Sequence, residues 1–224
     1  MKRGDGEIDT KEYILKYFNR INVGGNYQIK LYSSDESKVF VETDQNLFDY
    51  LKIEVHDEEL YINSEYNLKP TESVIIEIYY EDLEKIVSTG ASSIEHKAEL
   101  KSDDLDISMS GAGSIKLNLD VDELDINISG AGLIELKGNV YSQVIHMSGA
   151  GALEAEDLES RYTEVSISGV GNAKVNAKKE LVANISGMGN IEYFGEPDEI
   201  VQNISGLGKV KKGKGHKYEG EENI

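Results

Sequence analysis

The sequence predicts an all-β chain folded as a right-handed parallel β-helix, a β-solenoid with coils of about 19 residues. Three observations carry this. A Ser/Thr-Gly unit recurs seven times, its first glycines at 90, 111, 130, 149, 169, 187 and 206, giving spacings of 21, 19, 19, 20, 18 and 19. The residues flanking each unit alternate apolar and polar with period 2, as in half-buried strands. The seven units also hold 13 of the chain's 22 glycines. A coil this short cannot bury its apolar face alone, so successive coils must stack, with equivalent strands running parallel. Parallel crossovers favour the right hand. The alternative, an antiparallel meander closed into a barrel or sandwich, needs hairpin turns rather than identical corners.

In chain order, residues 1–17 read as a polar N-terminal segment. Residues 18–212 read as a single solenoid domain, with 18–88 forming irregular first coils. The strands expected there are Phe18–Val23, Tyr27–Tyr32, Lys38–Thr43, Leu51–Val55, Glu59–Asn63, Val74–Tyr80 and Lys85–Ser88, separated by turn-forming residues such as Gly24-Gly25-Asn26. One helical turn is expected at Gln45–Leu51, with Asp44 as its N-cap. Residues 89–212 hold the regular repeats. After Thr89-Gly90, the corners are Ser110 with Gly111 and Gly113, Ser129 with Gly130 and Gly132, and Ser148 with Gly149 and Gly151. Ser168 with Gly169 and Gly171, Ser186 with Gly187 and Gly189, and Ser205 with Gly206 and Gly208 complete the series. Glycine suits a sharp corner either by allowing positive φ or because a Cβ would clash with the coil above. The residue between the paired glycines is apolar each time (Ala112, Ala131, Ala150, Val170, Met188, Leu207), which predicts a plug facing the narrow core. Residues 213–224 read as a charged tail; with Lys209, Lys211 and Lys212 they would block endless stacking at an open end.

Composition narrows the function. Against 42 Asp+Glu stand 23 Lys+Arg, a net charge of −19 that disfavours nucleic acid and anionic lipid. The absence of cysteine removes disulfides, zinc-thiolate sites and cysteine nucleophiles. No stretch reaches the roughly 18–20 apolar residues of a membrane span, and the polar start shows no signal peptide. The serines Ser110, Ser129, Ser148, Ser168, Ser186 and Ser205 form a column without a patterned His or Asp partner, so they read as a structural, outward ladder and not as nucleophiles. Asn127, Asn184 and Asn203 extend that ladder, with His146 a surface variant of the same position. Their Asn-x-Ser pattern matches glycosylation sequons because the repeat demands it. Arg3-Gly4-Asp5 is too short a match to carry an integrin reading. Asp103, Asp104, Asp106, Asp122, Glu123 and Asp125 could form an acidic stripe. It could serve a carbohydrate-active enzyme or recruit Ca²⁺, though the three arginines (Arg3, Arg20, Arg161) are scattered. No catalytic set, metal site or cofactor is expected.

The residues resemble a known family. Gly4-Asp5-Gly6-Glu7-Ile8, then Phe18-x-x-Ile21-x-Val23-x-Gly25, Val39-x-Val41-Glu42-x-Asp44-x-Asn46-Leu47, Leu60-x-Ile62 and the serial Ser-Gly-x-Gly corners look like the head GIN domain of auto-transporter adhesins. The resemblance runs from about residue 4 to 212. It implies a right-handed β-helix of pectin-lyase-like architecture. It also implies a secreted or lipid-anchored cell-envelope protein of Gram-negative bacteria, in which this segment follows a signal peptide. It supplies no catalytic residues. Together the readings predict a non-enzymatic, extracytoplasmic binding module that presents polar ladders to a glycan or a cell-surface protein. A β-helix polysaccharide lyase or hydrolase, and a scaffold that self-assembles end to end as a homo-oligomer, stand as the alternatives.

Overall fold

A computed structural model describes residues 1–214; most of the expected tail, including His216, Lys217 and its glutamates, lies outside the described residues. The chain is 67% strand and 3% helix, stacked as a β-solenoid of about seven turns. In order the strands are β1 (Lys2–Arg3), β2 (Ile8–Ile14), β3 (Arg20–Gly24), β4 (Gln28–Ser33), β5 (Lys38–Asp44), β6 (Leu51–His56), β7 (Glu59–Ser64), β8 (Leu68–Lys69) and β9 (Ile75–Tyr80). The regular part follows as β10 (Lys85–Ser88), β11 (Ser93–Met109), β12 (Ser114–Ile128), β13 (Leu133–Met147), β14 (Ala152–Ile167), β15 (Asn172–Ile185), β16 (Asn190–Phe194), β17 (Glu199–Ile204) and β18 (Lys209–Lys212).

From β11 to β15 each strand runs from one glycine corner to the next and pairs in parallel with its successor, the register locking repeat on repeat. Ile107, Ile126, Ile145, Val165 and Ala183 fall in one such column, all buried. The period-2 pattern therefore becomes apolar ladders inside and polar ladders outside. Lysines on the outer face bridge coils: Lys116 to Glu135 at 2.8 Å, Lys178 to Glu159 at 3.1 Å and Lys211 to Glu192 at 3.1 Å. These pairs use up cations against an excess of carboxylates, which leaves the surface acidic.

The irregular first coils depart from simple sequential stacking. Coil β3–β4 lies between β10–β11 and the coil made by β7 and β9, so residues 59–80 are stacked outside residues 20–33. Antiparallel strands then close this end: β6 on β7, β5 on β9, and β2 on β5. Strand β2, which the sequence did not single out, is almost wholly exposed and its residues do not alternate. The expected helical turn is a 3-10 helix over Gln45–Tyr50. Asp44 precedes it but makes no side-chain cap bond. Its buried carboxylate instead accepts hydrogen bonds from the Gly6 N–H (2.8 Å), the Thr71 N–H (2.9 Å) and the Thr71 hydroxyl (2.7 Å). Burial alone would push this carboxyl up; the three donors outweigh it and hold the group below the ordinary aspartate range.

The corners correct one expectation and decide another. None of the paired corner glycines has positive φ; among the described residues the positive-φ glycines are Gly6, Gly138 and Gly195. Close approach is the reason for glycine. A Cβ on Gly130, Gly149, Gly169, Gly187 or Gly206 would fall deep inside the van der Waals shell of the carbonyl oxygen of the glycine one coil earlier. That same carbonyl accepts the next rung of a corner ladder, such as Ala150 N–H to Gly130 O at 3.1 Å and Leu207 N–H to Gly187 O at 2.9 Å. From Gly132 onward the second glycines face inward, where a Cβ would strike the Met or Ile that ends the preceding coil's strand: Met109 under Gly132, Ile128 under Gly151, Ile167 under Gly189. The core plug is thus Met109, Ile128, Met147, Ile167 and Ile185, all buried. The residues between the glycines were expected to fill that role, but they point outward: Val170, Met188 and Leu207 are 48%, 59% and 82% exposed. Strand alternation carries unbroken through the corner, placing glycine in and its neighbour out.

Candidate functional site

The outward residues on the strand ending at each corner form two parallel columns. The first is Ser108, Asn127, His146, Ser166, Asn184 and Asn203, aligned by register. Two residues on is the serine column, Ser110, Ser129, Ser148, Ser168, Ser186 and Ser205, exposed in every coil. Between them a shallow groove of about 410 Å³ crosses five coils. Asn127, His146, Ser166, Asn184 and Asn203 line one side, and Ser129, Ser148, Ser168, Ser186 and Ser205 the other. Ser110 belongs to the column but does not line the groove. Each element is positioned by its inward neighbour: burying Ile128, Met147, Ile167 and Ile185 forces the residues on either side out.

Asn184 and Asn203 are locked into a ladder with Ser166. Asn203 Nδ2 donates to Asn184 Oδ1 at 2.9 Å, and Asn184 Nδ2 to Ser166 Oγ at 3.2 Å. Stacked amides bond upward and downward and keep the remaining donors and acceptors facing solvent. The hydroxyls of the other column, Ser129, Ser148, Ser168, Ser186 and Ser205, make no side-chain hydrogen bond among the described residues and face solvent. His146 joins the groove, which sequence reasoning had treated as a surface variation. Beside the groove stands the apolar crest of Val170, Met188 and Leu207, missed because its residues were assigned to the core. Counting alternation through the corner would have found it.

Among the described residues, one carboxylate of the acidic stripe is in an ion pair. Asp106 lies beside Asp125, and Asp104 beside Glu123, on adjacent coils. Asp106 is held by the Lys85 ammonium at 2.6 Å, and Lys101 bridges Glu99 (3.1 Å) and Asp120 (3.2 Å). Among the described residues no cluster of His, Asp and Glu is arranged to hold a metal ion. Of the arginines, Arg20 donates to the Asp57 carbonyl and Arg161 lies over the Tyr141 ring, on different parts of the solenoid. No helix among the described residues is long and apolar enough to cross a membrane.

A stack of parallel coils with an exposed periodic groove defines a β-solenoid. The chain belongs to the family "Putative auto-transporter adhesin, head GIN domain", matched over residues 17–197. Among solved structures it is similar to a putative adhesin from Bacteroides fragilis NCTC 9343, at 25% identity and TM-score 0.89, covering 94% of this chain and 99% of that one. A putative lipid binding protein from Parabacteroides distasonis ATCC 8503 shows 27% identity and TM-score 0.79 over 95% and 99% of the two chains. A putative adhesin from the same organism shows 28% identity and TM-score 0.75 over 94% and 99%. No curated protein matches the sequence. These relatives are named as adhesins or lipid-binding proteins, not enzymes, and the family implies a place at the cell surface or envelope.

Proposed function

We propose that the chain is a non-enzymatic binding module of the cell envelope, whose solenoid over residues 18–212 holds a glycan or an extended protein segment against the serine–asparagine groove. The observation that carries this reading is the repetition of unpaired serine hydroxyls across five coils, beside side chains laddered from Ser166 through Asn184 to Asn203. Such a surface meets a repetitive or extended partner at many weak contacts, each positioned by a rigid coil. Family membership supports binding as the activity. The test is binding of the full chain to intact cells and to immobilised glycans. Wild type should bind, and Ser148→Arg with Ser168→Arg, which fill the groove, should abolish binding. Cleavage of a polysaccharide without stable binding would overturn the proposal. A second reading, contact with a lipid surface, is favoured by the crest of Val170, Met188 and Leu207. Co-sedimentation with zwitterionic vesicles, lost in Leu207→Asp, would establish it.

A further inference from the structure

At the opposite end of the corner column the solenoid opens a second, larger cleft of about 690 Å³. Its origin is topological. In every later coil one glycine corner stacks on another, and the N–H of the residue after the first glycine donates to the glycine carbonyl below. The ladder runs from Leu207 back to Ala91, which donates to Gly25 O at 2.7 Å. Register makes Asn26 the next rung. The coil outside it has no tight corner: residues 65–74 swing away between β7 and β9. Among the described residues nothing accepts a hydrogen bond from the Asn26 N–H, and this corner faces the cleft.

The wall opposite is rigid despite being a loop. Lys2 N–H donates to Asn67 O at 2.9 Å and Gly4 N–H to Lys69 O at 3.0 Å, making β8 a strand of its own small sheet with β1. Thr71 is anchored twice by the buried Asp44 carboxylate. Tyr66, at the cleft rim, is held edge-on to Tyr50 at 5.4 Å with the Lys2 ammonium 4.9 Å from its ring, and it is still 45% exposed. The lining is uncharged except for Glu72, in a chain whose residues are 29% charged. Its polar side chains are amides and hydroxyls, notably Asn26, Gln28 and Asn67, which both donate and accept.

We infer that this cleft is a binding site for a neutral saccharide, with Tyr66 as the stacking platform and the Asn26 corner and Asn67 as hydrogen-bonding partners. A sugar presents an apolar C–H face that suits an exposed ring and hydroxyls that suit groups able to donate and accept at once. An anionic ligand would face Glu72 in a lining without a cation, the nearby Lys2 ammonium being taken up by the Tyr50 and Tyr66 rings, and an apolar one would strand the amides. The cleft stands apart from the serine groove, so either site can fail alone.

The test uses the full chain on an array of neutral hexose and N-acetylhexosamine oligosaccharides, with sialylated and sulfated oligosaccharides beside them. Neutral glycans should be bound in preference to acidic ones. The tightest neutral binder, titrated against ¹⁵N-labelled protein, should shift the Asn26 amide resonance. Tyr66→Ala should weaken binding roughly tenfold, Tyr66→Phe should retain it, and Thr10→Ala, on exposed β2 away from both the cleft and the groove, should leave it unchanged. If Tyr66→Ala lowers the melting temperature, Asn67→Ala takes its place with a smaller loss expected. Binding of no neutral glycan, preference for acidic ones, indifference to both cleft variants, an unmoved Asn26 resonance, or equal loss with Thr10→Ala would each overturn the assignment.

Discussion

Replacing Gly149 by alanine isolates the corner argument, because its neighbour Ala150 provides the opposite expectation one residue away. A Cβ at Gly149 would overlap the Gly130 carbonyl oxygen and the Ser129 carbonyl group, both backbone atoms that cannot rotate aside. To admit the methyl group the two coils must separate locally. That stretches the rung from Ala150 N–H to Gly130 O, now 3.1 Å, and the flanking rung from Ser148 N–H to Ile128 O, now 2.9 Å. Overpacking costs about 1–3 kcal/mol and each weakened hydrogen bond about 1 kcal/mol, so a loss near 3 kcal/mol is expected. For a chain of this size that lowers the melting temperature by roughly 6–12 °C. Ala150→Val adds two methyl groups at an outward tip where the next coil already carries Val170, and it should stay within about 0.5 kcal/mol of wild type. Urea unfolding followed by circular dichroism measures both, provided the slope is unchanged between variants. If Gly149→Ala costs less than about 0.5 kcal/mol, or Ala150→Val costs as much, the assignment of glycine inward and its neighbour outward is wrong.

Other outcomes follow from single positions. Gln143 occupies a core column held by Leu105, Leu124 and Leu181 in other coils; its Nε2 donates to Thr163 Oγ1 at 3.1 Å but its buried Oε1 has no partner. Gln143→Leu should therefore stabilise by about 1 kcal/mol in the same urea assay, and destabilisation would contradict the core assignment. Asp44, with its folded-state carboxyl depressed, contributes stability that is complete above the unfolded aspartate value of about 3.9 and is lost as pH falls through the lower folded value. The stability gap between wild type and Asp44→Asn should be constant above about pH 5 and close below pH 4; a gap that persists into acid would show that the carboxylate charge is irrelevant. His96 is buried, with Nδ1 donating to the Ala98 carbonyl and Nε2 accepting from the Tyr80 hydroxyl, both at 2.8 Å. Burial pushes its pKa below the ordinary value, so the folded state favours neutral imidazole. Stability should fall as pH drops from about 6.5 towards the folded value, and His96→Phe should remove that slope.

The coils were legible because a 19-residue recurrence fixes stacking and register together. Lys85–Ser88 agrees to the residue, and the expected Lys38–Thr43 and Glu59–Asn63 each extend by one. The order of the first coils was not legible. Which strand lies beside Arg20–Gly24 depends on long-range pairing, and alternation reads the same for any neighbour. Ile8–Ile14 escaped because an edge strand with one partner buries too little to impose a pattern. At the site, the serine and asparagine columns followed from period alone. The apolar crest did not, because hydrophobicity at Val170, Met188 and Leu207 was weighed above the alternation that sends them outward. The cleft beside Asn26 had no signal in the sequence: it exists because one corner is missing from a stack, which only the spatial order of the coils reveals.

The serine–asparagine groove stands or falls as a binding surface on one experiment. That experiment is adhesion of fluorescently labelled full chain to intact bacterial and host cell surfaces, comparing wild type with the Ser148→Arg, Ser168→Arg pair. Wild type should bind saturably, and that binding should be lost in a variant whose circular dichroism and melting temperature match wild type. Undiminished binding by the folded variant, or no binding to any surface by wild type, would contradict it.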